Sequence, residues 1–317
     1  MESIQNLIDW THSVAARGQY AYLLIDGAQH EDSHLWLERR NIHYVSLFDG
    51  TDQAALRGIA PLLVPLNECH DGMTQNVWKW ALDLGARAPC LSWAECSLPL
   101  NQFIVHLGHF HSIGLNDRQV MLLRWYDTRV MPVWFACLSD SQRDIFTAGM
   151  FSLKFLDRFG NATLLFSTHV PKICFVGPSF GEQLLTLDDA QFAMLMNASE
   201  LDTLIKHIRN VISDEVNLVS NKKLYEFVGN YQAIASTAGI NDLDRQTQVV
   251  LLALYTSGKG IEHPLFQSVL KSPPSNIDAF HALIASLPDA VWMAGPPLWD
   301  FGMEKPVLPL KFDEYEN

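Results

Sequence analysis

Apolar and polar positions along the chain change period several times, and each change marks an element. Ile4, Leu7, Ile8 and Val14 lie on one helical stripe. Ala21 to Ile25 is then a continuous apolar run closed by Asp26-Gly27, the pattern of a buried strand ending in a turn. The same pattern predicts strands over His43–Phe48, closed by Asp49-Gly50, and over Pro61–Leu66. Met73, Val77, Trp80, Ala81 and Leu84 repeat at helical spacing up to Gly85, an amphipathic helix with a glycine at its C-terminal end. A strand is expected over Cys90–Trp93. Next comes a helix capped by Ser97, with Leu100, Phe103, Ile104, Leu107 and Phe110 on its buried face. Gln119–Tyr126 carries the strongest strand signal. Ser139 and Gln142 stand at capping-box spacing for a short helix ending near Gly149. Asn161–His169 and Lys172–Val176 are expected to form a closing hairpin.

From about Thr186 only helical periods remain. Thr186 with Asp189 and Ser199 with Asp202 are capping pairs, and Leu201, Leu204, Ile205, Ile208, Val211 and Ile212 form a strict stripe. Leu224, Phe227, Val228, Tyr231 and Ile234 lead to Ala238-Gly239. A further helix starts at Asn241 or Asp242 and ends at Ser257-Gly258, and Ser275 with Asp278 caps a last one. The expectation is an α/β N-terminal lobe with a mixed sheet, followed by an all-α C-terminal lobe. The boundary is placed at 178–186, giving an α/β domain over 1–180 and a helical lobe with an irregular acidic tail over 181–317. Two lobes also suit 317 residues, since single cores stop growing at roughly 250–300.

Composition narrows the class. With 17 Phe, 9 Trp and 8 Tyr the chain has ample area to bury, so it is a folded protein over most of its length. Charged residues make up 18%, fewer than the quarter or so usual in soluble domains, which leaves a surface suited to contacts. Twenty-two basic against 35 acidic residues give a net charge of −13, which argues against nucleic acid or an anionic membrane as partner. No apolar run reaches the roughly 18 residues of a membrane span. The N-terminal segment bears Glu2 and Asp9 without a basic region, so no signal peptide is expected. Five cysteines without CxxC spacing fit free thiols in the cytoplasm, with Cys90 and Cys96 as core residues rather than ligands.

The standard catalytic signatures are missing: GxGxxG, GxxxxGK[ST], GxSxG, HExxH and the deaminase pattern. His106, His109 and His111 are close in sequence, but a zinc site needs three or four ligands, so they are taken as exposed histidines at a helix end. Asp26, Asp49 and Asp71 each precede a glycine after an apolar segment. Carboxylates there can hold a metal in an α/β enzyme, yet Asp-Gly is also ordinary turn chemistry. The densest signal is Arg124-Trp-Tyr-Asp-Thr-Arg-Val130. Asp127 and Arg129 form either a buried pair locking a strand exit or, with Trp125 and Tyr126, a recognition patch. Phe192, Met194 and Met196 do not share one helix face. They suit either a short helix buried all round or a groove that adapts to a partner.

Tyr22-Leu-Leu-Ile-Asp-Gly-Ala28, Tyr44-Val-Ser-Leu-Phe-Asp-Gly-Thr51 and Ala60-Pro-Leu-Leu-Val64, in that order, resemble the opening of the type VI secretion adaptors, the Tap or Tec effector chaperones. Leu91-Ser-Trp93 and the segment Phe103 to Phe110 are similar to that family's middle. Arg124 to Val130 is similar to its signature, an aromatic-Tyr-Asp-Pro-Arg-Val string. Thr128 departs from it, standing where the family usually has proline. The resemblance is good over about 20–150 and weaker through Tyr231–Ile240 and Leu254–Gly260. It implies a cytoplasmic, non-catalytic chaperone without cofactor or metal. Its partners would be a secreted effector and the spike protein VgrG, with no membrane or nucleic acid involved; the off-stripe Phe192, Met194 and Met196 lead us to expect the effector in a groove between the lobes. The site residues it implies are Trp125, Tyr126, Asp127 and Arg129 of the signature and Asp26 of the opening motif. The rival expectation is a metal-dependent α/β hydrolase using Asp26, Asp49 and Asp127. A third is a structural subunit of the apparatus.

Overall fold

The computed structural model describes residues 3–116, 119–172 and 185–300. Among the described residues there are nine strands: β1 Tyr20–Asp26, β2 Val45–Ser46, β3 Pro61–Pro65, β4 Leu91–Cys96, β5 Ser112–Leu115, β6 Val120–Leu122, β7 Met150–Leu156, β8 Ala162–Ser167 and β9 Leu185–Leu187. Six form one sheet in the order β2-β3-β1-β4-β7-β8, with every neighbouring pair antiparallel. The other three form a small mixed sheet, β6-β5-β9, in which β5 and β9 run parallel.

The unbroken apolar runs of the central strands have a simple cause: both faces of the large sheet are covered. Along β1, Tyr22 and Leu24 enter one core while Ala21, Leu23 and Ile25 enter the other. In β4, Ala94 and Cys96 alternate in the same way with Leu91 and Trp93. One face packs against the helices Ile4–Ala16, Ser33–Arg39 and Asp71–Gly85. That core is rich in indoles. Trp36 stacks on Trp80 at 4.0 Å, and Trp78 meets Trp10 and Trp93 edge to face. Burying a side chain of that size contributes about 2–3 kcal/mol. The opposite face holds the helix Leu100–Gly108, the small sheet, and Trp125, Tyr126, Trp134 and Phe146.

The C-terminal part is helical, as its pattern predicts. The helices Asp189–Val211, Asn221–Thr237, Leu243–Tyr255, Pro264–Lys271 and Ile277–Ala285 surround two apolar clusters, one on Leu204, Ile208, Val228 and Leu254, the other on Ile240, Val249, Phe266 and Phe280. The chain divides into compact units at residues 1–198 and 199–317. Ala238-Gly239 is a real helix stop: Gly239 has φ +80° and Ile240 donates back to the Ala235 carbonyl at 3.0 Å.

Several local expectations need correction. The predicted strand over Gln119–Tyr126 is confined to Val120–Leu122, because residues 124–130 turn and sink Trp125 and Tyr126 into the core. The hairpin partner of β8 is β7, which the sequence reading missed; most of the expected partner Lys172–Val176 lies outside the described residues. His43–Phe48 supplies only the two residues of β2. Ser97 does not cap a helix, since its hydroxyl donates to the Gly149 carbonyl and the helix opens at Pro99 instead. Thr186 lies in β9, and the following helix is opened by Asp188 and Gln191, each accepting the other's backbone N–H at 2.8 and 3.0 Å. Ser199 and Asp202 are interior to that helix, and the last long helix is capped by Asn276 rather than Ser275.

Candidate functional site

β1 ends at Asp26, whose backbone N–H donates to the Cys90 carbonyl and whose side chain accepts from the Ala28 N–H at 3.1 Å. Gly27 follows because nothing larger fits: a Cβ there would stand 2.3 Å from the Ala60 carbonyl oxygen. The Asp26 carboxylate has no exposed surface, and Arg124 Nη2 donates to its Oδ2 at 2.5 Å. The same Nη2 lies 3.5 Å from Asp127 Oδ2. Asp127 is itself buried and accepts from the Arg129 side chain through Nε at 3.0 Å and Nη2 at 2.6 Å, the bidentate form of the pair. It also accepts from the Arg129 backbone N–H at 3.0 Å and from Gln29 Nε2 at 3.2 Å. Two carboxylates and two guanidiniums thus alternate across the end of β1 and the 124–130 turn.

Electrostatics follow burial. Loss of solvent raises the Asp26 carboxyl to about 6, against the pull of Arg124 and with a smaller push from Asp127. Burial likewise raises the Cys90 thiol and the Tyr126 hydroxyl. His111 stacks on Trp125 at 6.3 Å and meets Phe48 and Tyr126 edge on, and burial lowers it to about 4. His106 is also lowered to about 4 by burial while one ring nitrogen bonds the Phe146 carbonyl. Both imidazoles are therefore neutral core groups near pH 7, which corrects the expectation of exposed helix-end histidines: their rings pack among Phe48, Phe103, Phe110 and Trp125.

Of the residues singled out in the sequence, Asp26, Trp125, Tyr126, Asp127 and Arg129 come together, and all but Arg129 are buried. Arg124 and Arg129 bring the charged part of the motif to the surface, with side chains 35% and 29% exposed. Asp49 is exposed and lies near Arg57 instead. Among the described residues no three His, Cys, Asp or Glu side chains are grouped so as to hold a metal. Thr128 fills its place with a donated bond, from its N–H to the Pro89 carbonyl at 3.3 Å, which proline would lack. Met194 and Met196 are exposed and Phe192 is half-buried on the helix Asp189–Val211, so that stretch is not buried all round. The sequence reading missed the role of Arg124 toward Asp26, and that of Gln29. No local signal could reveal either, because each pair is separated by 98 positions.

Residues 21–144 match the model of a family described as Domain of unknown function (DUF4123), a stretch that holds the whole Asp26–Arg129 cluster and covers less than half of the chain. No curated protein and no solved structure matches the chain.

Proposed function

We propose that this protein is a non-catalytic adaptor of a type VI secretion system, which binds one effector in the cytoplasm and loads it onto the spike protein VgrG. The observation that carries this reading is the family match over residues 21–144, which coincides with the motifs that resemble the effector chaperones. The chemistry of the cluster supports it. Asp26 and Asp127 spend their oxygens on arginines, and neither carboxylate is left aimed at a cleft where a substrate would sit. A hydrolase built on Asp26, Asp49 and Asp127 would need all three around one ion, and Asp49 stands outside the cluster. No described helix is long and apolar enough to cross a membrane.

In this reading the ion-pair cluster is structural. It fixes the 124–130 turn against β1 and so sets the small sheet and the surrounding surface before any partner arrives, which lowers the ordering cost of binding. The sparse surface charge and the exposed Met194 and Met196 suit contact with an apolar effector segment. The test is reconstitution from purified parts: this chain with a type VI effector and a VgrG spike protein of the same organism. The expected result is a stoichiometric complex with the toxin and a ternary complex with both. Metal-dependent hydrolysis that follows the protein through purification and vanishes in Asp26→Asn would defeat the proposal.

A further inference from the structure

We infer that the outer edge of β6 is an effector-docking site, where an extended effector segment adds a fourth strand to the small sheet. This deepens the adaptor reading and rests on it. The ladder between β5 and β6 runs from the pair His111/Leu123 to the pair Leu115/Gln119, closed at its ends by Leu123 N–H to the His111 carbonyl (2.8 Å) and Leu115 N–H to the Gln119 carbonyl (2.9 Å). In an antiparallel ladder bonded pairs alternate with unbonded ones. Residues 119, 121 and 123 therefore bond inward to β5, and the N–H and C=O groups of Val120 and Leu122 point out of the sheet edge. No described strand pairs with that edge. The side chains of the same two residues are 59% and 39% exposed.

Edge strands are normally guarded by charge, proline, a bulge or extreme shortness. The two edges of the large sheet show such devices, whereas β6 carries no charge, proline or bulge. β2 is two residues long. β8 sits across a register break at Leu153/Lys154, with Lys154 opposite Leu164. Gln119-Val-Met-Leu122 has no charge, no proline and no register break. Unpaired backbone groups fix the geometry of the occupant as an extended strand, and Val120 and Leu122 ask for apolar residues at alternate positions. Charge decides its source. A second copy would bring −13 against −13, whereas an uncharged or basic segment of another protein meets no such repulsion. The occupant is thus an extended effector segment with alternating apolar residues and no net negative charge.

The experiment uses the full chain and the purified effector toxin that forms the complex in that reconstitution, with affinity measured by calorimetry and backbone amide exchange read residue by residue. Leu122→Pro removes an outward N–H without touching the β5 ladder, a position where proline is tolerated. Expected are an unchanged melting curve, a loss of about tenfold or more in toxin affinity, and slowed exchange at Val120 and Leu122 in the wild-type complex. Val120→Thr, which keeps the backbone donor and removes the apolar contact, should lie between. Unchanged affinity in a folded Leu122→Pro, or no new protection of the two amides in the complex, overturns the inference while leaving the adaptor reading intact. If Leu122→Pro does not fold, the amide protection of the wild type decides alone. Protection that instead grows with the concentration of the free chain assigns the edge to self-pairing and also overturns it. Absence of any toxin binding by the wild type overturns both readings.

Discussion

Asp26 and Arg124 meet at 2.5 Å although 98 positions separate them, and the carboxylate has no surface of its own. One contact thus closes the first strand of the α/β unit onto the turn that follows its small sheet. Its other bond, from the Ala28 N–H, is local and does nothing to hold that turn.

Removing the guanidinium leaves a buried charge without a counter-ion. Arg124→Ala should therefore cost about 3–5 kcal/mol. Asp26→Asn, which removes the charge along with its partner's attraction, should cost clearly less. Urea unfolding followed by circular dichroism checks both, and an unchanged midpoint in Arg124→Ala would contradict the account.

The pH dependence has a definite sign. Asp26 titrates at about 6 when folded, against an ordinary value of 3.8. Its folded value is the higher one, so this group's contribution is complete below the ordinary carboxylate range and is lost as pH rises through about 6. The stability of the wild type minus that of Asp26→Asn should therefore be larger at pH 4 than at pH 7, by up to about 3 kcal/mol. A difference that is flat with pH, or that grows with alkalinity, would show that Asp26 is not held this way.

Thr128 is buried with its hydroxyl lacking a hydrogen-bond partner, while its N–H bonds Pro89. Thr128→Val keeps the shape and the backbone bond and removes the orphaned oxygen. Melting should rise, with a gain of about 1 kcal/mol. A loss of stability would mean that the hydroxyl has a partner in solution.

Two Asp-Gly turns that look alike in sequence should respond differently to alanine. Gly27 is hemmed in by the Ala60 backbone, so Gly27→Ala forces the chain apart and should cost about 1–3 kcal/mol, with a disturbed Asp26–Arg124 contact. Gly50 has φ +75° and open space around it, so Gly50→Ala pays only the left-handed conformation, about 1 kcal/mol. Equal losses would refute the distinction.

The elements that could be read from the chain are those whose causes are local. β1 and β3 announce themselves because a strand covered on both faces must be apolar throughout. The Ser139–Gln142 capping box forms as its spacing says, with both reciprocal bonds made. Sequence reasoning fails where distant residues decide. Leu122 to Tyr126 looks like more strand because Trp125 and Tyr126 are large and apolar. Their burial comes from the core beneath them, and Asp127 turns the chain by accepting the Arg129 N–H. The site followed the same rule. Asp127 and Arg129 could be paired from their spacing, whereas Arg124 toward Asp26 and Gln29 toward Asp127 depend on the whole sheet being built.

The indoles packed around the large sheet have a practical consequence. Trp78, Trp93, Trp125 and Trp134 are fully buried, and Trp36 and Trp80 nearly so, all within residues 1–198. Residues 199–317 contain only Trp292 and Trp299. Intrinsic fluorescence therefore weighs the two units unequally. A red shift in emission on denaturation tracks exposure of the α/β unit, while far-ultraviolet dichroism sums the helices of both units. If the two signals fall at different urea concentrations, the units unfold independently, and the chain reports this with no label attached.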